Sequence, residues 1–577
     1  MKKHHSLRTA VVAAVPVISG VSLACAGDLQ FSEKAAAVGL TGGFDSANGF
    51  GLQFMIAGAG VGDFDRDGDQ DILVLGGSTG TDHLYINDGT GNFTDQAAAW
   101  GVDASGYRHS GVAVGDYNND GWLDIYVTSI VESESPVPAE NRLYRNNGDN
   151  TFTDVADIAG VRFIASILND SFSSAFGDPD LDGDLDLFVT GWYGGNHLYT
   201  NNGDGTFTVE PNSIFNGDVM DLIRGFSVRF LDINEDGWPD ILLTADFFTS
   251  RVFINNADGT YTNATVSWGA GLDSNGMGSA QGDFNNDGLI DWYVASLISE
   301  DKTDGTGSML YMNNGDSTFT ESSVGAGVNF GFWGWGADAV DFNHDGWLDI
   351  AATNGWNGPF FSTDPTRLWL NNQSPEGGFI EASTKVGIAD SGQGRGLLTF
   401  DADNDGDRDL LIANNNQSLV YFENSLSGDD VNAITFFFDT SGEPALAPDG
   451  FGVTVELDAN GITQSRVMDG GATYLSQSEL STHFGMAAAP VADEVRITWP
   501  NGTTTTLVNV LPGRYTITAN FGCPADWNAD DVLDLSDISG WIDGFQNGHP
   551  QADLTGDGIR DLSDIQQFID QFLGGCL

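Results

Sequence analysis

The chain of 577 residues sets 82 Asp and Glu against 21 Lys and Arg, a formal net charge of -61. So negative a chain repels nucleic-acid phosphates and anionic membranes, and cations are its natural partners. Its length exceeds one ordinary core, and 41% hydrophobic residues with 37 Phe separate it from a solvated acidic coil.

In chain order, residues 1–26 come first and read as a secretory signal peptide. A basic MKKHHSLR precedes the apolar TAVVAAVPVISGVSLA, which ends at the small-x-small Ala24-Cys25-Ala26. A membrane anchor is the alternative, but the run is short for a span and holds Pro16 and Gly20. The expectation is a secreted, extracellular or cell-surface protein, with no membrane insertion after cleavage and no nucleic-acid partner.

From residue 27 to about 427 a repeat dominates. Acidic or Asn residues at positions 1, 3, 5 and 9 around Gly at position 6 occur in GDFDRDGDQD from Gly62. They return in DYNNDGWLD, DPDLDGDLD, DINEDGWPD, DFNNDGLID, DFNHDGWLD and DADNDGDRD, beginning at Asp116, Asp178, Asp232, Asp283, Asp341 and Asp401. The first six are followed by a hairpin signature such as LYINDGTGNFT at 84 and LYTNNGDGTFT at 198, two β-rich runs joined by Asn, Asp and Gly. Units of about 50 residues with four short strands and no long helix predict blades of a β-propeller, and seven copies predict seven blades. FSEKAAAVGL at 31–40 is similar to FTDQAAAWGV at 93–102, which the seventh unit lacks, so an N-terminal strand is expected to complete the last blade.

Alternating Asp and Asn around a Gly turn aim oxygens at one point, as a hard cation such as Ca2+ requires. Positions 1, 3, 5 and 9 are expected to supply side-chain oxygens and position 7 a backbone carbonyl. The candidate sets in chain order are Asp63, Asp65, Asp67, Asp69, Asp71; Asp116, Asn118, Asp120, Trp122, Asp124; Asp178, Asp180, Asp182, Asp184, Asp186; and Asp232, Asn234, Asp236, Trp238, Asp240. They continue with Asp283, Asn285, Asp287, Leu289, Asp291; Asp341, Asn343, Asp345, Trp347, Asp349; and Asp401, Asp403, Asp405, Asp407, Asp409. Position 12 is apolar in all seven (Val74, Val127, Val189, Leu243, Val294, Ala352, Ile412), so these loops feed buried strands and are not EF-hands, which need an acidic ligand there. The spaced loops resemble FG-GAP and VCBS repeats of integrin α type over residues 28–425.

From 428 to 520 the repeat gives way to strands with Gly and Asn turns. Tyr474-Leu475-Ser476-Gln477-Ser478, His483-Phe484-Gly485 and Trp499-Pro500-Asn501-Gly502 resemble the ASPIC/UnbV domain of the cartilage acidic protein family, which implies a small β domain. His483 beside Ser476 and Ser478 lacks a nucleophile elbow and an assigned acidic orienter, and reads as a packed histidine.

Residues 521–577 hold two more acidic loops, DWNADDVLDLSD and DLTGDGIRDLSD, 27 residues apart, with Asp537 and Asp564 at position 12 and amphipathic runs after them. The pair resembles a dockerin, an EF-hand-like α-helical module. That resemblance implies up to two further Ca2+, held by Asp526, Asn528, Asp530, Asp534 and Asp537 and by Asp553, Thr555, Asp557, Asp561 and Asp564. It also implies a cohesin-like partner. Asp531 stands where Gly is usual, and Leu535 and Leu562 where a recognition Ser is frequent. Cys523 and Cys576 flank the module, and an even cysteine count in an exported chain predicts a disulfide between them.

The fold expected is therefore all-β, a seven-bladed propeller and a small β domain, with a helical tail. The function expected is a calcium-binding extracellular scaffold for a protein or glycan ligand and not an enzyme. The alternative is a dockerin-anchored polysaccharide lyase or hydrolase. Trp333, Trp335 and Trp356 are expected either to pack between blades or to present an aromatic platform to sugar rings.

Overall fold

The computed structural model describes residues 28–45, 52–130, 139–163, 170–216, 220–299, 305–356, 361–374, 377–530 and 532–574. The segment expected to be a signal peptide lies outside them, as does Cys576, the expected partner of Cys523.

Each repeat folds into a four-stranded antiparallel sheet. In the first, Ala59–Gly62, Asp71–Val74, His83–Asn87 and Phe93–Asp95 pair in chain order. Five more sheets of the same order lie within 109–154, 174–209, 224–263, 279–321 and 334–381. The seventh uses Gly394–Phe400, Asp409–Asn414 and Val420–Asn424, and takes Phe31–Glu33 as its outer strand, with Phe31 opposite Asn424. Single helical turns such as Ala97–Trp100 follow five outer strands and end at a glycine in left-handed conformation, Gly101 at φ 83°. Apolar strands rich in Val, Ile, Leu and aromatic residues, buried on both faces, explain this propeller-like all-β architecture.

Neighbouring sheets are fastened by side chains at equivalent positions. Thr128, Thr190, Thr244 and Thr353, in or just after second strands, donate to Phe172, Phe226, Met277 and Arg395 carbonyls of the following unit. Because strands alternate in direction, acidic loops and hairpin turns share one face of the molecule. Loops after each second strand lie on the other.

The segment 428–520 packs a three-stranded sheet (Asn432–Asp439 between Thr482–Ala487 and Gly513–Thr518) against a four-stranded one. Phe436, Phe438, Val455, Val495, Ile497 and Trp499 fill the space between them. This domain sits on the acidic-loop face: Ala487 N–H donates to the His344 carbonyl, and Gly485 lies against Asp341.

Its loop 469–482 runs into the centre of the sheet ring. Val112 donates to Leu475 O at 3.1 Å, Val61 to Gln477 O at 3.2 Å, and Ser279 and Ala337 both to Thr473 O at 3.1 Å. Ala472 donates to Val228 O, Thr473 Oγ1 to Leu397 O, and Gln477 exchanges two bonds with Val114. The first strand of a sheet is an edge with unpaired amides, and this loop satisfies such edges in six of the seven sheets. Tyr474 and Leu475 are fully buried at the centre, Tyr474 against Phe226 and Trp335.

Candidate metal centres

The acidic loops are built alike. In the first, Asp67 and Gly68 amides donate to Asp63 Oδ1 and Oδ2 at 3.0 Å each, and Asp69 donates to Asp67 Oδ1 at 3.0 Å. The chain curls around the position-1 carboxylate. To do so it passes through left-handed φ at position 4 and again at position 6. Arg66 sits at 59° and Gly68 at 95°, with the same pair in every other loop down to Asn404 at 62° and Gly406 at 93°. Gly at position 6 is thus a conformational requirement, and Asn, at position 4 of three loops, is the residue that tolerates the other bend best.

Position 9 opens the second strand and is buried in all seven loops. Asp71 Oδ1 accepts from the Asn87 amide at 2.8 Å and Oδ2 from the Phe64 amide at 3.1 Å. Asn87 ends the third strand, and its own Nδ2 donates to the Ala402 carbonyl of the seventh sheet's acidic loop at 2.7 Å. The same relay recurs around the molecule. Asn146, Asn201, Asn255, Asn313, Asn371 and Asn424 each reach the second residue of the preceding acidic loop: Phe64, Tyr117, Pro179, Ile233, Phe284 and Phe342. Seven links close a circuit, the seventh sheet being tied to the first by Asn87. Six of these asparagines stand in the LYINDG-type signatures, where the sequence marks them only as hairpin residues, and Asn424 ends the seventh unit's LVYFEN run. Their invariant place before the turn was the available signal.

Crowding and burial leave their mark on the carboxyls. Burial, opposed by backbone hydrogen bonds, pushes Asp63, Asp116, Asp283 and Asp341 up to about 6 and Asp178 to about 7. Burial pushes Asp71 and Asp240 up to about 8 and lifts Asp124, Asp186, Asp291, Asp349 and Asp409 well above the carboxylate range. In the three loops with Asp at position 3, carboxylate oxygens come within 4.8 Å of one another: Asp63, Asp65, Asp67; Asp178, Asp180, Asp182; Asp401, Asp403, Asp405. In the fourth, fifth and sixth loops an Asn amide softens the crowd, Asn234, Asn285 and Asn343 donating to the position-5 carboxylate at 2.9, 2.8 and 3.0 Å. Asp124 Oδ2 and Asp401 Oδ1 are buried with no hydrogen-bond partner. Oxygen donors alone, clustered and left wanting a partner, fit a hard divalent cation.

The tail loops place their burial elsewhere. Asp537 and Asp564 at position 12 are fully buried. Asp537 accepts from Trp527 and Asp534 amides at 2.8 Å each; Asp564 accepts from Thr555 at 3.0 Å and Asp561 at 2.7 Å. The helices Leu535–Asn547 and Leu562–Gly574 follow, packed through Trp541 stacked on Phe568 at 4.4 Å. Asp531 lies outside the described residues.

The other singled-out residues are structural. His483 is buried, bonds Thr435 Oγ1 at 3.1 Å, and is held well below the ordinary histidine range by burial. Ser476 accepts from the Ala59 amide, and Ser478 bonds Asp338 and Thr399 in the central loop. Trp333, Trp335 and Trp356 form a near-parallel stack with centroids 4.7 to 6.1 Å apart, Trp335 being 1% exposed under the Arg395 guanidinium at 4.1 Å. The stack packs the channel and leaves no open Trp335 face to a sugar.

Residues 63–127, 178–243, 232–294 and 295–352 match the FG-GAP-like repeat family, and residues 443–520 match the ASPIC and UnbV family. The chain carries FG-GAP-like repeats and an ASPIC/UnbV domain. Cartilage acidic protein 1 of Homo sapiens is 27% identical over 252 residues, covering 34% of this chain and 37% of that protein. The Xenopus tropicalis protein of that name is 26% identical over 266 residues, 36% of this chain and 40% of its own. The matched region thus spans less than half of these relatives. Among solved structures, an Agrocybe aegerita lectin described as recognising non-reducing terminal N-acetylglucosamine covers 62% of this chain and 85% of its own at 19% identity, with a TM-score of 0.36. The V. cholerae biofilm matrix protein Bap1 covers 70% and 60% at 12% identity, with a TM-score of 0.30. Both likenesses are too distant to bear on function. Neither matched family is an enzyme family, and no helix among the described residues is long and apolar enough to cross a membrane.

Proposed function

We propose that the chain is a secreted, calcium-stabilised seven-bladed β-propeller that serves as an extracellular binding scaffold for a protein or glycan. Its dockerin-like tail, stapled by Cys523 and Cys576, attaches it to a cohesin-like partner. The observation that carries this reading is the seven-fold recurrence of a loop whose position-9 carboxylate is buried and tied to the Asn that fastens the neighbouring sheet. Cation binding there acts on the ring itself: it neutralises carboxylates that otherwise repel one another, and it fixes the loop from which each inter-sheet bond starts. The ligands are those given above for positions 1, 3, 5, 7 and 9, with up to two more sites in the tail.

A calcium-titrated melting curve with bound-calcium counting tests this. At about a 100-fold excess over Kd each site contributes about 2.7 kcal/mol, so chelation is expected to lower the melting temperature by on the order of 10 °C. A melting temperature indifferent to calcium sinks the proposal. With the second domain docked on the acidic-loop face and the centre filled by residues 469–482, this reading assigns the ligand to the opposite face.

A further inference from the structure

Among the described residues three aromatic side chains are exposed, Tyr193 at 40%, Phe247 at 56% and Phe248 at 58%, and they stand on adjacent loops of that opposite face. Tyr193 follows the second strand of the third sheet, and Phe247 and Phe248 follow that of the fourth. Both phenylalanines have left-handed φ, 56° and 59°, a conformation that is unfavourable for bulky residues and persists only where the surroundings impose it.

The surroundings do impose it. Asp246 accepts from the Phe247 amide and from Asn275 through Oδ1, and from Trp192 Nε1 through Oδ2 at 3.0 Å, while the Thr249 amide and hydroxyl hold its carbonyl. Trp192 is thereby fixed with its ring 4.6 Å from Tyr193 at 79° and 6.0 Å from Phe247 at 52°. Arg224 donates to the Trp192 carbonyl at 2.7 Å and lies 5.6 Å from the Trp192 ring and 5.9 Å from that of Tyr193. No carboxylate among the described residues pairs with it within 4.0 Å, in a chain where acids outnumber bases almost fourfold. Beneath Tyr193, Asp170 is 1% exposed; its Oδ1 accepts the Tyr193 amide at 2.9 Å, and its Oδ2 has no partner.

We propose that Trp192, Tyr193, Phe247, Phe248, Arg224 and Asp170 form a binding site for a neutral pyranose unit of a glycan, a reading that rests on the binding-scaffold proposal above. Rings set at 79° and 52° to Trp192 form an aromatic corner, and the C–H faces of a sugar ring pack on aromatic faces. The buried Asp170 carboxylate fixes the Tyr193 backbone, and the Arg224 guanidinium, with no carboxylate partner among the described residues, donates to ring or hydroxyl oxygens. Two nearby carboxylates and a net charge of -61 oppose an anionic sugar. A cationic ligand finds the Trp192 face already accompanied by Arg224.

The test uses the full chain in calcium, titrated calorimetrically with neutral gluco-, galacto- and manno-configured tetrasaccharides and with an oligogalacturonate. At least one neutral sugar is expected to bind, with Tyr193→Ala and Phe248→Ala each weakening it about tenfold and leaving the calcium-raised melting temperature unchanged. These side chains are exposed, so the variants fold. Absence of binding by every neutral sugar, binding indifferent to both substitutions, or equal affinity for the oligogalacturonate overturns the assignment. A melting temperature that rises with calcium while no neutral sugar binds defeats this site alone, whereas one unmoved by calcium defeats the scaffold.

Discussion

The acidic loops of the sheets and those of the tail share oxygen-bearing residues at positions 1, 3, 5 and 9 and bury different carboxylates. In the sheets it is position 9: Asp71 lies inside, bonded to Phe64 and Asn87 amides, and opens a strand. In the tail position 9 is an exposed helix cap, Asp534 accepting from Ser536 and Asp561 from Ser563, which draws both carboxyls below the ordinary range. There position 12 takes the inside place, Asp537 reaching back to the Trp527 and Asp534 amides as one arm of a capping box. One acidic turn thus serves as a bracket for a sheet or as the foot of a helix, and the buried acid decides which.

The sharpest way to break this comparison is to truncate the same loop position in both contexts. Asp71→Ala leaves two buried amides without acceptors and is expected to cost about 3 kcal/mol or more in the unfolding of the propeller, read by urea melts in calcium. Asp534→Ala removes an exposed cap and is expected to leave the propeller transition where it was, with only a small loss of helical ellipticity. Equal effects of the two substitutions would show that burial of position 9 is not what distinguishes the loops.

Next in size is the circuit of asparagines. Asn87→Ala removes the 2.7 Å bond to Ala402 and a 3.1 Å bond to Gln70, leaving buried carbonyls unsatisfied. A loss of about 2 kcal/mol is expected, and the same loss for Asn255→Ala in mid-ring if the ring is closed as evenly as its hydrogen bonds. A much smaller effect at Asn87 would mean that the junction of first and seventh sheets carries no strain of closure.

Much of this was legible in the sequence. Seven D-x-[DN]-x-D-G-x-x-D loops and their hairpins predict seven sheets, and the kinship of 31–40 with 93–102 places Phe31–Glu33 at the edge of the seventh. What was not legible has a common physical cause. Asn87, Asn146 and their equivalents act between units about 50 residues or more apart, and no local pattern announces a bond to a neighbouring repeat. The loop 469–482 shows only Tyr-Leu-Ser-Gln-Ser, polar and apolar in turn, and its burial comes from the edges of six sheets. Tyr193, Phe247 and Phe248 resemble ordinary strand-end aromatics until three dimensions leave them outside.

Proton binding gives a third, smaller test. In calcium-free protein, Asp63 and Asp71 have folded values of about 6 and 8 against an ordinary 3.8, both raised by burial. A carboxyl whose folded value is raised binds more protons folded than unfolded, so its contribution is full below the ordinary value and is lost as pH rises through the folded one. With chelator present, the melting temperature of the propeller is expected to fall between about pH 5 and 8. Calcium competes with those protons, so the rise it produces should grow over the same window. The tail carboxyls Asp534 and Asp561, shifted downward, carry the opposite sign and lose stabilisation only in stronger acid. A calcium-free propeller whose stability climbs from pH 5 to 8 would contradict the burial of its position-9 acids.

The smallest effect is expected where the two tail units are most alike on the outside. Leu535 is 77% and Leu562 80% exposed, at matching positions 27 residues apart, as are Val532 with Ile559 and Ile542 with Ile569. None of the six serves the stacked Trp541 and Phe568 core, and a small domain gains nothing from apolar groups left in water. The double substitution Leu535→Ala and Leu562→Ala is therefore expected to change unfolding by no more than about 0.5 kcal/mol, measured by helical ellipticity against urea. A loss of several times that would place these leucines in a packing role.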